Sequence, residues 1–171
     1  MVSYTRKYSK ILGIRQEEQM KLSTKGRYGL RALVDLAIHS GDAPVSIQSI
    51  AARQNISERY LEQLMGAMKK AKLVTSTRGA QGGYRLARPA EEISVGDVLR
   101  ALEGDLRAVA CPAEEEGEDG CANSGSCVTR YVWQRVNESI RQAVDTIWIS
   151  QLASQGKALQ EQPGPERTCE R

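Results

Sequence analysis

The amino-acid sequence predicts a mainly α fold interrupted by one small β-hairpin, and three observations carry that expectation. Apolar residues return every three or four positions through most of the chain between residues 23 and 153. One glycine-rich run, Arg78-Gly79-Ala80-Gln81-Gly82-Gly83, lies between two short stretches rich in β-formers. Serines stand where helices need caps, at Ser57 and at Ser94, the latter with Asp97 three residues on.

Taken in order, the first helix spans about 23–40, with Tyr28, Leu30, Leu33, Val34, Ala37 and Ile38 at helical spacing and Gly41 as its stop. The lone His39 near its end reads as a cation-capable side chain at a helix C-terminus. A short second helix covers 46–54, with Ile47, Ile50 and Ala51 turned inward, and Asn55-Ile56 forms the turn after it. Ser57 then caps a third helix running to about Ala71, with Glu58 in its first turn and Leu61, Leu64, Met65 and Met68 facing the core. Leu73–Thr77 and Tyr84–Ala87 are the arms of the hairpin, and a capped helix follows over 94–103. A cysteine-bearing loop of about two dozen residues, 104–127, separates it from a long helix over 128–153. Val132, Val136, Ile140, Val144 and Ile147 step along that helix, widened by Trp133 and Trp148. This is more apolar surface than a small front domain covers, so a partner helix is expected. Residues 1–19 lack periodicity and 154–171 are polar with Pro163 and Pro165, so both ends are expected to be disordered. Domain-like sequence begins at Met20, a second candidate start.

Composition narrows the function classes. With no Phe, two Trp and six Tyr, the core is a small aliphatic one rather than a deep ligand cavity. No apolar run is long enough to span a bilayer or to act as a secretory signal, so a cytoplasmic protein without a membrane partner is expected. No nucleophile–base pair, phosphate loop or carboxylate dyad stands out, so no enzyme is expected. The net charge of +3 hides an asymmetry: residues 20–110 carry fourteen Lys and Arg against nine Asp and Glu, whereas 111–131 carry five acids and only Arg130. A basic body with an acidic insert suits contact with a polyphosphate.

Helix, short helix, tight turn, third helix and hairpin is the order of a winged helix-turn-helix. In that arrangement the third helix offers Ser57, Arg59, Tyr60 and Gln63 to a major groove. Arg, Gln and Ser can pair with base edges, and Tyr60 can reach a phosphate or a thymine methyl. Arg78 stands at the hairpin tip for a minor groove, with Gly82 and Gly83 allowing the tight return and close approach to a backbone. Lys25, Arg27 and Lys69 add phosphate contacts. The same helices and hairpin also occur in protein-docking modules.

Cys111, Cys121 and Cys127 fall in the one loop, whereas Cys169 is a lone tail thiol. Three clustered thiols point to metal ligation or redox chemistry rather than to a structural disulfide. Soft thiolates suit an iron–sulfur cluster or zinc, and the spacing lacks the tight CxxC pair of a zinc ribbon. Oxidisable thiols without metal remain an alternative.

Four stretches together carry a family resemblance: Met20-Lys21-Leu22-Ser23-Thr24-Lys25-Gly26-Arg27-Tyr28; Ile56-Ser57 with Tyr60-Leu61-Glu62-Gln63-Leu64; Val74, Ser76, Arg78-Gly79 and Gly82-Gly83-Tyr84; and Cys127-Val128-Thr129-Arg130. With these the chain resembles the Rrf family of bacterial winged-helix regulators, in particular its IscR-like members, over about residues 20–152. The resemblance implies a homodimer joined by the C-terminal helices, a promoter-DNA partner and an iron–sulfur cluster, [2Fe-2S], on Cys111, Cys121 and Cys127. It also implies DNA contacts at the Ser57, Tyr60 and Gln63 positions and from Arg78, and a discriminating role for Glu62, whose carboxylate is repelled by base acceptors. A cluster-free relative that regulates cysteine metabolism through a partner enzyme, and a zinc-stabilised interaction module, are the alternatives. Two features depart from the pattern. The first cysteine gap is longer than in IscR-like members, and the positions that supply a fourth ligand in relatives are Arg130 and Arg27. Neither is a ligand, which leaves Glu118, Asp119, solvent or a small thiol for that place.

Overall fold

The computed structural model describes residues 23–41, 43–79, 81–109 and 126–161. The expectations for residues 1–19, for Cys111 and Cys121, and for 162–171 lie outside them. The described residues form two units, one holding 23–104 and 141–161, the other 105–109 and 126–140.

Helix α1 (Thr24–His39) is the axle of the first unit, packed by α2 (Ile47–Gln54), α3 (Glu58–Lys70), α4 (Val95–Glu103) and α6 (Ile149–Glu161). Ser23 caps α1, its hydroxyl accepting from the Lys25 amide at 3.0 Å. Being surrounded, α1 buries Gly26, Gly29, Ala32 and Leu36 besides Leu33. A Cβ at Gly29 would overlap Leu102, so α4 lies against the backbone of α1 there. Asp35, 3% exposed, is the one buried acid of α1. It accepts from Arg53 Nη2 at 2.7 Å and Nε at 3.0 Å, and from Gln54 Nε2 at 2.9 Å. The Asp35 carboxylate holds the Arg53 guanidinium above its ordinary pKa, chiefly by hydrogen bonding. Arg31 donates to the Gln54 side chain and carbonyl at 3.1 and 3.2 Å. Four polar side chains therefore set the angle between the first two helices, since a buried carboxylate is tolerated only when fully partnered.

Helix α2 ends on Asn55, which adopts the left-handed conformation (φ 51°, ψ 51°) that asparagine tolerates best after glycine. The chain turns there into the Ser57 cap of α3. Leu61, Leu64, Met65 and Met68 of α3 are buried as the periodicity predicts. They share a core with Leu33, Leu36, Ile50, Leu73, Ile93, Val98 and Ile149. Strands β1 (Val74–Thr77) and β2 (Gly83–Leu86) pair antiparallel, with Ser76 opposite Tyr84. A third stretch joins them, Val45 exchanging backbone bonds of 2.9 and 2.8 Å with Tyr84. Ser94 and Asp97 form the expected capping box at the start of α4.

The long helix expected over 128–153 is instead two, α5 (Arg130–Asp145) and α6, and residues 154–161 are helical rather than disordered. No proline or glycine marks the break. Tertiary backbone bonds make it: the Val95 amide donates to Ile147 O at 2.8 Å, and the Ile149 amide to Ile93 O at 2.9 Å. Asp145 is held by a two-pronged bond from Arg100, at 2.8 and 2.7 Å. A Cβ at Gly96 would strike that carboxylate, so glycine is required for the approach. Beyond the break, Ile149 is fully buried and Ala153 is 7% exposed, so α6 belongs to the core of the helix-turn-helix unit.

In the second unit Asn137 of α5 accepts from the Ala108 amide at 2.9 Å and donates to Val109 O at 3.0 Å. These bonds tie the segment just ahead of Cys111 in sequence to the helix. Helix α5 has no buried residue, and Val128, Tyr131 and Val132 are 90%, 66% and 51% exposed. No helix among the described residues is long and apolar enough to cross a membrane.

Candidate nucleic-acid interface

The third helix presents its polar side as the sequence spacing requires. Arg59, Glu62 and Gln63 are exposed and lie at i, i+3 and i+4, on the face opposite Leu61, Leu64 and Met68. Ser57 is exposed at the cap, its oxygen accepting from the Tyr60 amide at 3.4 Å, which leaves the hydroxyl proton to donate outward. Lys25, Arg27 and Arg31 are exposed on α1, and Arg78 is exposed at the end of β1. All belong to the same unit.

Four of the residues expected to make contacts also have places within the chain's own structure. The Tyr60 hydroxyl does not face outward toward a phosphate: it is buried and has no hydrogen-bond partner among the described residues. Its ring meets Tyr28 edge-on, with centroids 6.2 Å apart. The Arg27 and Arg31 guanidinium groups stand 5.2 and 5.7 Å from the centre of the Tyr28 ring, a cation–π arrangement that ties the two tyrosines to the basic end of α1. Gly82 and Gly83 serve the protein's own backbone. A Cβ on Gly82 would overlap Thr77 O at the hairpin turn, and one on Gly83 would overlap Val45 O, where the third stretch pairs. Lys69 donates to Ser76 Oγ at 2.5 Å, which ties the hairpin to the end of α3. Gly79, with φ +115°, needs the freedom of glycine to carry the turn.

A buried hydroxyl without a partner costs about 1–3 kcal/mol. Tyr60→Phe is therefore expected to raise the stability of the free protein by about 1 kcal/mol, seen as a higher urea midpoint with unchanged slope. A lower midpoint would mean that the hydroxyl has a partner after all.

One residue near the interface was invisible in the sequence as a functional side chain: Tyr28 read as one apolar position among several, whereas it packs on Tyr60 under two arginines. Burial, with the negative charge of Glu62 adding to it, holds the Tyr84 phenol above its ordinary pKa.

Of the three loop cysteines only Cys127 is described. It is partly exposed just ahead of α5, and its sulfur lies 3.2 Å from Thr129 Oγ1. The Thr129 hydroxyl and amide, then the Arg130 amide and charge, hold its thiol below the ordinary value. Among the described residues no three His, Cys, Asp or Glu side chains gather into a metal site.

The sequence profile of the Rrf2 family, described as an iron-dependent transcriptional regulator, matches residues 22–155. The chain is 44% identical over 133 residues to protein rrf2 of Nitratidesulfovibrio vulgaris Hildenborough, covering 78% of this chain and 87% of that one. Among solved structures, IscR of T. potens is 42% identical with a TM-score of 0.62, covering 85% of this chain and 93% of the other. CymR, the global cysteine regulator of B. subtilis, is 39% identical with a TM-score of 0.64, covering 80% and 98%. These relatives are regulators rather than enzymes, and their mainly helical winged fold is the one described above. The chain belongs to the Rrf2 family of DNA-binding transcription regulators.

Proposed function

We propose that this chain works as a homodimer that binds promoter DNA through α3 and the wing, and that an iron–sulfur cluster on Cys111, Cys121 and Cys127 modulates the binding. The genes it controls, on this reading, serve iron–sulfur assembly or stress responses, and the chain acts chiefly as a repressor. The observation that carries the DNA part is the exposed row Ser57, Arg59, Glu62 and Gln63 on α3, in one unit with Arg78 and the cations of α1. Side chains that donate to base edges read sequence, whereas the cations supply salt-dependent affinity. The dimer rests on α5, whose Val132, Val136, Ile140 and Val144 share a stripe on a helix with no buried residue.

Three soft thiols are donors that suit a cluster, and the lowered pKa of Cys127, the one that is described, favours thiolate, the form in which sulfur ligates iron. A bound cluster would supply a redox- and iron-sensitive brace whose loss changes the relative stability of two protein geometries. The similarity to CymR favours a second reading, a cluster-free regulator of cysteine metabolism acting through a partner enzyme.

Anaerobic purification with iron and sulfide analysis separates the two, in parallel with titration of duplex promoter DNA over a salt series. The cluster reading expects a brown protein with matching iron and sulfide, and duplex affinity that changes on cluster loss. A colourless protein after anaerobic reconstitution, still binding DNA, selects the second reading. A protein that remains monomeric and ignores duplex DNA at low salt overturns both.

A further inference from the structure

The α1 N-terminus is gripped by a carboxylate from a distant part of the chain. Glu103, the last residue of α4, accepts from the Ser23 amide at 3.0 Å, the Ser23 hydroxyl at 2.8 Å and the Gly26 amide at 2.7 Å through Oε1. Its Oε2 accepts from the same hydroxyl at 2.9 Å. A Cβ on Gly26 would approach Oε1 to 2.7 Å, so the glycine makes room for the carboxylate. Glycine within a helix costs about 1 kcal/mol relative to alanine, and here that cost admits the carboxylate. The carboxylate also sits where the first-turn amides and the helix dipole favour an anion. Ser23 and Gly26 flank or alternate with Lys25 and Arg27, whose side chains are exposed.

We infer that Glu103 is a positioning residue for DNA-backbone binding: by clamping Ser23 and Gly26 it holds the first turn of α1 at the place from which Lys25 and Arg27 reach phosphate. The inference rests on the reading that Lys25 and Arg27 meet the DNA backbone. It explains why an acid stands at the phosphate-facing end of a basic helix. Gly26 is buried and Ser23 only partly exposed, so the carboxylate is not competing with DNA for an open anion site; it orders the turn that carries the two cations. Without it, the first turn loses three of its backbone and side-chain partners and frays, and the two cations must pay ordering entropy on each encounter with DNA.

The test uses the full chain and the slope of log K against log[salt] for a duplex, to which each phosphate contact contributes about 0.9. Glu103→Ala is expected to lower the slope by about one to two and to weaken binding to specific and non-specific duplex by the same factor. Glu103→Gln, which keeps the acceptor oxygen, is expected to restore most of the slope. In a Lys25→Ala, Arg27→Ala background, adding Glu103→Ala should lower the slope no further. Gly26→Ala, which leaves Glu103 in place but crowds its carboxylate, is the second variant if Glu103→Ala does not fold, and it should reproduce the loss. Weaker binding at unchanged slope, or a further loss in the triple variant, would overturn the inference while leaving the phosphate reading intact. An unchanged slope in the Lys25→Ala, Arg27→Ala chain would sink both together.

Discussion

Ile149→Asp should unfold the helix-turn-helix unit rather than loosen the end of the chain. Ile149 is completely buried, lies in one core with Leu33, Leu36, Ile50 and Met65, and donates its amide to Ile93. Trimming such a side chain to alanine costs about 2–5 kcal/mol, and a buried aspartate adds the desolvation of a carboxylate with no partner. Against a domain stability of about 5–15 kcal/mol, that is enough to remove the cooperative transition at moderate temperature. Ile149→Ala should keep the transition and lower it by about 2–5 kcal/mol in urea titration. Deleting residues 149–161 should behave like the aspartate variant. The competing view, that the C-terminal helix is an appendage of the dimer helix, expects a truncated unit that melts normally and binds duplex unchanged.

That difference marks where sequence reasoning lost its grip. The helix ends at Gln54 and Glu103, the caps Ser57 and Ser94 and the inward face of α3 were all legible, because propensity, periodicity and capping agree there. The break between α5 and α6 was not. Thr146, Ile147 and Trp148 are only mild helix-breakers, and what bends the chain is backbone pairing with residues 93–95, some fifty positions away. Asp35 was equally opaque: a charged residue on a helix reads as solvated, and its burial follows from Arg53 and Gln54 arriving from the next helix. At the candidate interface the residue types on α3 were readable from position alone. The inward turn of Tyr60, the Lys69–Ser76 tie and the Glu103 clamp depend on how the helices cross, which no local pattern encodes. Gly82 and Gly83 were legible as places of a tight return and of close backbone approach, and Thr77 O and Val45 O come close to them.

The other large effect concerns Cys127, and its sign can be worked out from the local contacts. If the sulfur ligates iron, Cys127→Ala should leave a protein that purifies anaerobically without colour and with iron and sulfide near zero, since three thiolates are the minimum set the loop offers. Folding should survive, because Cys127 stands outside the core of the helix-turn-helix unit. A finer variant asks whether the helix start prepares the sulfur. The Thr129 hydroxyl is the largest cause of the lowered thiol pKa, followed by the Thr129 amide, with the Arg130 amide and charge adding to it. A lowered value means more thiolate at neutral pH, and the thiolate is the form that reacts and ligates. Thr129→Val removes the hydroxyl while keeping the shape, so the pH profile for alkylation of Cys127 in metal-free protein should move to higher pH, and the rate at neutral pH should fall. Reconstitution with iron and sulfide should then need a higher pH to reach the same occupancy, because ligation and proton release are linked. Site-resolved mass spectrometry separates Cys127 from the other thiols. An alkylation profile that does not move would show that Thr129 does not govern the sulfur.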